Sequence, residues 1–146
     1  MEIEITDLIP QRAPIMMVDA LLQANDEEAT CMLTVREDNF FLETDGNMAE
    51  VGLIEHIAQS ASAFAGYRAI ADGATEPPVG YIGEVKNFHL YQRPQLGDTI
   101  VTTITMGPTV EGVTIIRGET KKKTGPNEAE TIFADTTMKI FIDNDK

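Results

Sequence analysis

The chain has 146 residues, with 11 Lys+Arg against 24 Asp+Glu for a net charge of −13, and 42% of its residues are apolar. That length suits one domain, residues 1–146, able to bury a core without covalent staples. Acidity of this degree excludes a broad phosphate-binding face, and so general nucleic-acid binding, and it disfavours an anionic membrane surface. The charge is uneven: residues 1–60 hold 2 basic and 13 acidic side chains (2 − 13 = −11), and residues 61–146 hold 9 and 11 (9 − 11 = −2). An anionic partner is therefore expected to meet the second half.

Met1–Asp7 shows neither a basic nor an apolar leader segment, and no apolar run approaches the roughly 20 residues of a membrane span. The cytoplasm is the expected compartment. Cys31 is the sole cysteine. It lies in a strand-like run and reads as a buried structural thiol.

In chain order, Thr6–Ile9 suggests one helical turn, with Thr6 as its cap and Pro10 as its stop. Ile15–Leu22 is dense enough for a buried strand. Asn25–Glu28 reads as a turn, and Ala29–Arg36 as a second strand in a hairpin with the first. Phe40–Leu42 is an isolated apolar cluster before the loop Glu43–Asn47. Met48–Ala71 is the one long helical candidate, with Asn47 as its cap and Asp72-Gly73 as its end. Strands follow at about 79–92, 99–108, 113–123 and 129–142. Pro94–Asp98, Gly107-Pro108, Glu111-Gly112 and Thr124–Asn127 separate them. Helix and strands are segregated, so the expected class is α+β with an antiparallel sheet.

The helix is the unusual element. At about 100° per residue, Leu53, Ile54, Ile57, Ala61 and Phe64 form a broad apolar arc that Val51, Ala58, Ala65 and Ala69 extend. Glu55, Gln59, Ser62 and Gly66 make a narrow polar or small stripe, and His56, Ser60, Ala63 and Tyr67 fill the rest. Between Val51 and Ala71 the only formal charges are Glu55 and Arg68. A surface helix carries a charged outer face; this one is expected to be covered on nearly every side. One helix wrapped by an antiparallel sheet of five to six strands is a hot-dog fold, with one face left for a partner subunit.

Glu55 stands out in that setting. No Lys or Arg lies three or four positions away, and its helical neighbours are Val51, Ile54, Ala58 and Ser62. A carboxylate in apolar surroundings gains proton affinity and can act as general acid or base. His56 points about 100° away from Glu55 and reads as a packed or interfacial histidine. His89 lies in a strand of uncertain facing. No histidine–carboxylate spacing suggests a metal, and no nucleotide-binding or nucleophile-elbow pattern is present. Neither a metal nor a cofactor is expected.

Three stretches resemble the hot-dog 3-hydroxyacyl-[acyl-carrier-protein] dehydratases. Ile9-Pro-Gln-Arg-Ala-Pro-Ile-Met-Met-Val-Asp19 is similar to that family's opening Leu-Pro-His-Arg-x-Pro motif. Met48-Ala-Glu-Val-Gly-Leu-Ile-Glu-His-Ile-Ala-Gln59 is similar to its helix start, Met-Pro-Gly-Val-(apolar)-Glu-Ala-x-Ala-Gln. Phe88 through Arg93-Pro-Gln-Leu-Gly-Asp98 is similar to its Phe-x-x-Pro-Val-x-Pro-Gly-Asp turn. Phe41–Met48, Ile54–Ser60 and Gly66-Tyr67 together most resemble the divergent branch found in aryl-polyene-type pigment and lipid gene clusters.

The resemblance implies that Glu55 is the catalytic carboxylate and Gln59 a site glutamine. It implies backbone N–H groups near Val51 and Gly52 as donors to a thioester carbonyl, with Ser62 on the same stripe. The family's base is a histidine in a Gly-His-Phe-Pro loop before the helix. Here no histidine lies between Phe41 and Glu55, Gln11 replaces the opening motif's histidine, and Ala49-Glu50 replaces Pro-Gly.

Three readings follow: a dehydratase or hydratase that recruits His56 or His89 across a dimer interface; a weak or inactive subunit that pairs with a histidine-bearing paralogue; and a thioesterase that uses the helix carboxylate. The acyl thioester would be carried on acyl carrier protein or coenzyme A. Carrier docking is expected at Arg68, Lys86, Arg93, Arg117, Lys121, Lys122 and Lys123.

Overall fold

The computed structural model describes residues 4–75 and 79–143. Met1–Ile3 of the stretch read for a leader, and Glu76–Pro78 of the expected loop, lie outside them. A short 3-10 turn, Ile5–Asp7, is followed by an extended strap and then β1 (Ala20–Ala24), β2 (Glu28–Thr34), α1 (Glu50–Ala71), β3 (Val79–Leu90), β4 (Thr99–Val110), β5 (Val113–Lys122) and β6 (Ile132–Asp143).

The six strands form one antiparallel sheet in the order β1-β2-β4-β5-β6-β3. α1 leaves from β2 and crosses the concave face, so β3 lands at the far edge of the sheet and the later strands fill the space between. This is the expected hot-dog arrangement of α+β class. Ile57, Ala61 and Phe64 of α1 pack on Ala29, Ile104, Ile116, Met138 and Ile140. Near the helix start, Leu53 joins Met17, Leu33, Val35, Met48, Ile100 and Phe133.

Only the ends of α1 are exposed: Glu50 and Val51 at one, Arg68 and Ala71 at the other. The sheet covers one side of it. The other side is covered by the amino-terminal strap, where Ile5, Leu8, Ile9 and Val18 pack with Ala63 and Cys31. Gly66 makes that packing possible, because a Cβ there would sit 2.1 Å from the Leu8 carbonyl oxygen.

Several boundaries differ from expectation, each for a backbone reason. Ile15–Asp19 is not strand; it belongs to the strap, with Ile15 and Met17 bonded to α1 and Asp19 to β2. Asn47 does not cap the helix, because it is committed to a bridge with Gln95; Ala49 takes the cap position without a side-chain bond. Thr6 lies within the 3-10 turn rather than capping it. Gly107-Pro108 does not end β4. The strand passes through them as a bulge between Met106 and Thr109, which tolerates the missing proline N–H. Glu111 (φ 53°) and Gly112 (φ 80°) form the tight turn between β4 and β5, a conformation that suits the strand twist.

Candidate active site

Glu55 lies in the first half of α1 and faces a cavity of about 210 Å³. Gln11, Ala58, Gln59, Ser62, Ile140 and the β3 residues Gly80, Tyr81 and Ile82 complete its lining. The site opens at the sheet edge, where Tyr81 and Ile82 remain 56% and 39% exposed.

Glu55 is oriented by Gln59 one turn on. The Gln59 Nε2 donates to Glu55 Oε1 at 2.8 Å and to the Ile15 carbonyl at 2.9 Å. Its Oε1 accepts the Met17 N–H at 2.6 Å. Because a backbone donor occupies Oε1, the amide cannot be flipped without losing bonds at both ends. One carboxylate oxygen is therefore held by Gln59. Among the described residues no Lys or Arg forms an ion pair with Glu55.

His56 is fully buried on another side of α1. Its Nδ1 lies 2.6 Å from the Met17 carbonyl oxygen and its Nε2 2.8 Å from Thr102 Oγ1. A carbonyl only accepts, so Nδ1 carries the proton and Nε2 accepts from Thr102. Thr102 Oγ1 in turn lies 2.6 Å from Thr120 Oγ1. Burial lowers the His56 pKa to about 4, against smaller opposing contributions from the Met17 bond and Asp19. Its ring is thus neutral and enclosed, and within this chain it does not reach the Glu55 cavity.

His89 lies on the convex face. Its Nδ1 is 3.0 Å from Asp135 Oδ1 on β6, and the Tyr91 hydroxyl donates to Asp135 Oδ2 at 2.8 Å. Burial raises the Asp135 pKa, but the bonds from His89 and Tyr91 and the charge of Arg117 outweigh it and hold the carboxyl below its usual range. His89 lies seven positions beyond Ile82 on β3, about 23 Å along a regular strand. Neither histidine therefore shares the cavity with Glu55.

At the helix start, one of the two expected backbone donors, the Gly52 N–H, has a partner within the chain. The Gly52 N–H donates to the Ala49 carbonyl at 2.9 Å. Its missing side chain makes room for Phe41, whose Cβ would lie 2.8 Å from an added Cβ. The Val51 side chain is 53% exposed.

Four of the seven cations expected to dock a carrier, Arg93, Arg117, Lys121 and Lys122, are paired with acids of this chain. Arg68 sits in the last turn of α1 over the Phe64 ring. Arg93 donates to the Met48 carbonyl and pairs with Glu43 and Asp45. Lys121 pairs with Glu119 and Glu130, Lys122 with Asp98, and Arg117 with Asp135. Lys86 and Arg117 share a sheet face, as both are in register with Thr137. Lys123 follows β5 and is exposed.

The strap contacts of Gln59 were not visible in the sequence, nor were the β3 walls of the cavity. Gln11 did carry a signal, since it stands where the resembled motif has histidine, and it lines the cavity. Among the described residues no group of three or more His, Cys, Asp or Glu side chains is placed to hold a metal. No described helix is long and apolar enough to cross a membrane.

A helix enclosed by a six-stranded antiparallel sheet, with a carboxylate facing a cavity at the sheet edge, defines a hot-dog-fold protein. Residues 3–142 match the ApeP-like family, described as ApeP dehydratase, and the chain belongs to that family. Comparison with curated proteins returns no significant match.

Among solved structures, the dehydratase heterocomplex ApeI:P from Xenorhabdus doucetiae superposes with a TM-score of 0.87 at 16% identity, covering 99% of this chain and 93% of that one. A hypothetical thioesterase with coenzyme A from Streptococcus pneumoniae TIGR4 gives 0.63 at 12% identity, covering 84% of each chain. The uncharacterized protein PH1136 from Pyrococcus horikoshii gives 0.65 at 10% identity, covering 99% and 97%. At these identities the superpositions establish the fold.

Proposed function

We infer that the chain acts on β-hydroxyacyl thioesters as the carboxylate-bearing subunit of a two-subunit hot-dog dehydratase. The observation that carries this reading is that Glu55 faces the cavity while both histidines of the chain lie outside it. Elimination of water needs two proton transfers. A base takes the proton from C2, which the thioester carbonyl acidifies, and the C–H pair becomes the C2=C3 bond. The C3–O bond breaks, and the leaving hydroxyl takes a proton from Glu55 and departs as water. Glu55 supplies the second transfer and Gln59 fixes its direction.

The base is a histidine of a partner subunit seated on the β3 edge. Membership of the ApeP-like family supports a dehydratase, and the solved ApeI:P heterocomplex supports a paired assembly. β3 is a sheet edge with exposed Tyr81 and Ile82 beside the cavity mouth, and an unpaired edge is a template for a further strand. His56 serves as a structural strut in this reading, and His89 lies apart from the reaction.

The test is to assay the purified chain alone, then mixed with a hot-dog subunit bearing the Gly-His-Phe-Pro loop, on a β-hydroxyacyl thioester. Enoyl absorbance should appear only in the mixture and be lost with Glu55→Gln. Enoyl formation by the chain alone would overturn the partner base, and free thiol release without enoyl would mark a thioesterase instead.

A further inference from the structure

Ser62 Oγ and Gln11 Oε1 are both buried without a hydrogen-bond partner, and both residues line the Glu55 cavity. No other buried side-chain nitrogen or oxygen among the described residues is left in that state. Ser62 is only 4% exposed. Buried polar atoms without partners are rare and call for an explanation. At about 210 Å³ the cavity is several times the roughly 30 Å³ that one water occupies in the liquid, so a single trapped water does not fill it.

The position of the two groups narrows what would satisfy them. Ser62 lies seven residues beyond Glu55 on the same helix stripe, about 10 Å further along the axis. Ala58 and the β3 and β6 residues Gly80, Tyr81, Ile82 and Ile140 line the cavity around this stripe. Along the strap, Leu8 lies against Gly66 and Ile15 is bonded to Gln59, which brackets Gln11 at the level of Ser62; a ligand whose reacting centre sits at Glu55 would thus run past apolar and small residues and end against a hydroxyl and an amide oxygen. Gln11 Oε1 only accepts, whereas Ser62 Oγ can donate. A hydroxyl matches both, donating to one and accepting from the other.

We propose that the cavity selects acyl chains carrying a second hydrogen-bonding group, a hydroxyl at a set distance from the thioester, held by Ser62 and Gln11. This rests on the acyl-thioester reading above and adds the substrate class. A site built to bond a substrate hydroxyl discriminates strongly against the analogue lacking it, because the site's own polar atoms are then left unpaired.

The probes are pantetheine amides of ω-hydroxyacyl chains of increasing length, each matched with the methyl-terminated chain of the same length. Binding to the full chain, alone and mixed with its partner subunit, is measured by calorimetry. At one optimal length the hydroxylated amide should bind about tenfold or more tightly than its partner compound. Ser62→Ala and Gln11→Leu should each bring that ratio toward one. Ser62→Ala should leave the melting temperature of the ligand-free protein unchanged or raised, since it removes an unpaired buried group.

Equal binding of both amides at every length, or a preference that both substitutions leave intact, would overturn the proposal while sparing the acyl-thioester reading. Failure of every amide to bind would overturn both.

Discussion

Gln59 donates to Glu55 in a 2.8 Å hydrogen bond, and the same side chain links that carboxylate to the amino-terminal strap. The same Gln59 amide takes the Met17 N–H and reaches the Ile15 carbonyl. Gln59→Leu would remove all three bonds and leave the buried Met17 N–H unpaired. The expected cost is about 3 kcal/mol from the groups left unsatisfied, read as a lower urea midpoint with an unchanged m-value. Enoyl formation in the mixed assay should fall with it, even at temperatures where the variant remains folded.

His56 predicts how stability depends on pH. Burial lowers its pKa to about 4 from an ordinary 6.5, so the unfolded chain binds the proton more readily than the folded one. The stabilisation is fully present above pH 6.5 and is lost as pH falls toward 4. It amounts to at most roughly 3 kcal/mol. Urea unfolding at successive pH values should show this slope in the wild type, and a smaller slope in His56→Leu over the same window. Identical slopes would mean that His56 is not buried in its neutral form.

Gly66 fixes the distance between helix and strap. An added Cβ would lie 2.1 Å from the Leu8 carbonyl oxygen and 2.9 Å from its carbon, and backbone cannot rotate aside as a side-chain tip can. Gly66→Ala should lose about 2–3 kcal/mol through overpacking, seen as a fall in melting temperature of roughly 5–10 °C. A variant as stable as the wild type would show that the strap sits further from α1.

Cys31 is expected to be silent toward thiol reagents. It is fully buried, and burial pushes its pKa up to about 12 against a smaller opposing contribution from the Ser60 side chain. Only thiolate reacts readily. A chromogenic disulfide should therefore label the native protein at the rate of global opening and label the urea-unfolded chain at once. Rapid labelling under native conditions would contradict the packing beneath the strap.

The helix was legible because its composition betrays its surroundings: with only Glu55 and Arg68 charged between Val51 and Ala71, it had to be covered. The strands were legible from alternation, as in β5, where Thr114, Ile116, Gly118 and Thr120 are buried and their neighbours are not. The strap was not legible. Its bonds run from backbone groups at Ile15 and Met17 to helix side chains about 40 residues later, and such pairings leave no local periodicity. Asn47 was misread as a cap because its side chain suits one, whereas its backbone is held by Gln95. The packed reading of His56 followed from its angle to Glu55, but its partners Met17 and Thr102 required the fold.

The spacing of the cations has a kinetic consequence. Arg93, Arg117, Lys121 and Lys122 already face acids of their own chain, and Arg68 stands about 27 Å along the axis from the start of α1. A molecule with net charge −13, whose Arg93, Arg117, Lys121 and Lys122 are already paired with its own acids, does not draw an acidic partner in from a distance. Encounter with such a partner should then be slow at low ionic strength and accelerate as salt screens the repulsion. If the proposed partner seats on the β3 edge, its recognition then depends on contact there rather than on attraction through the solvent.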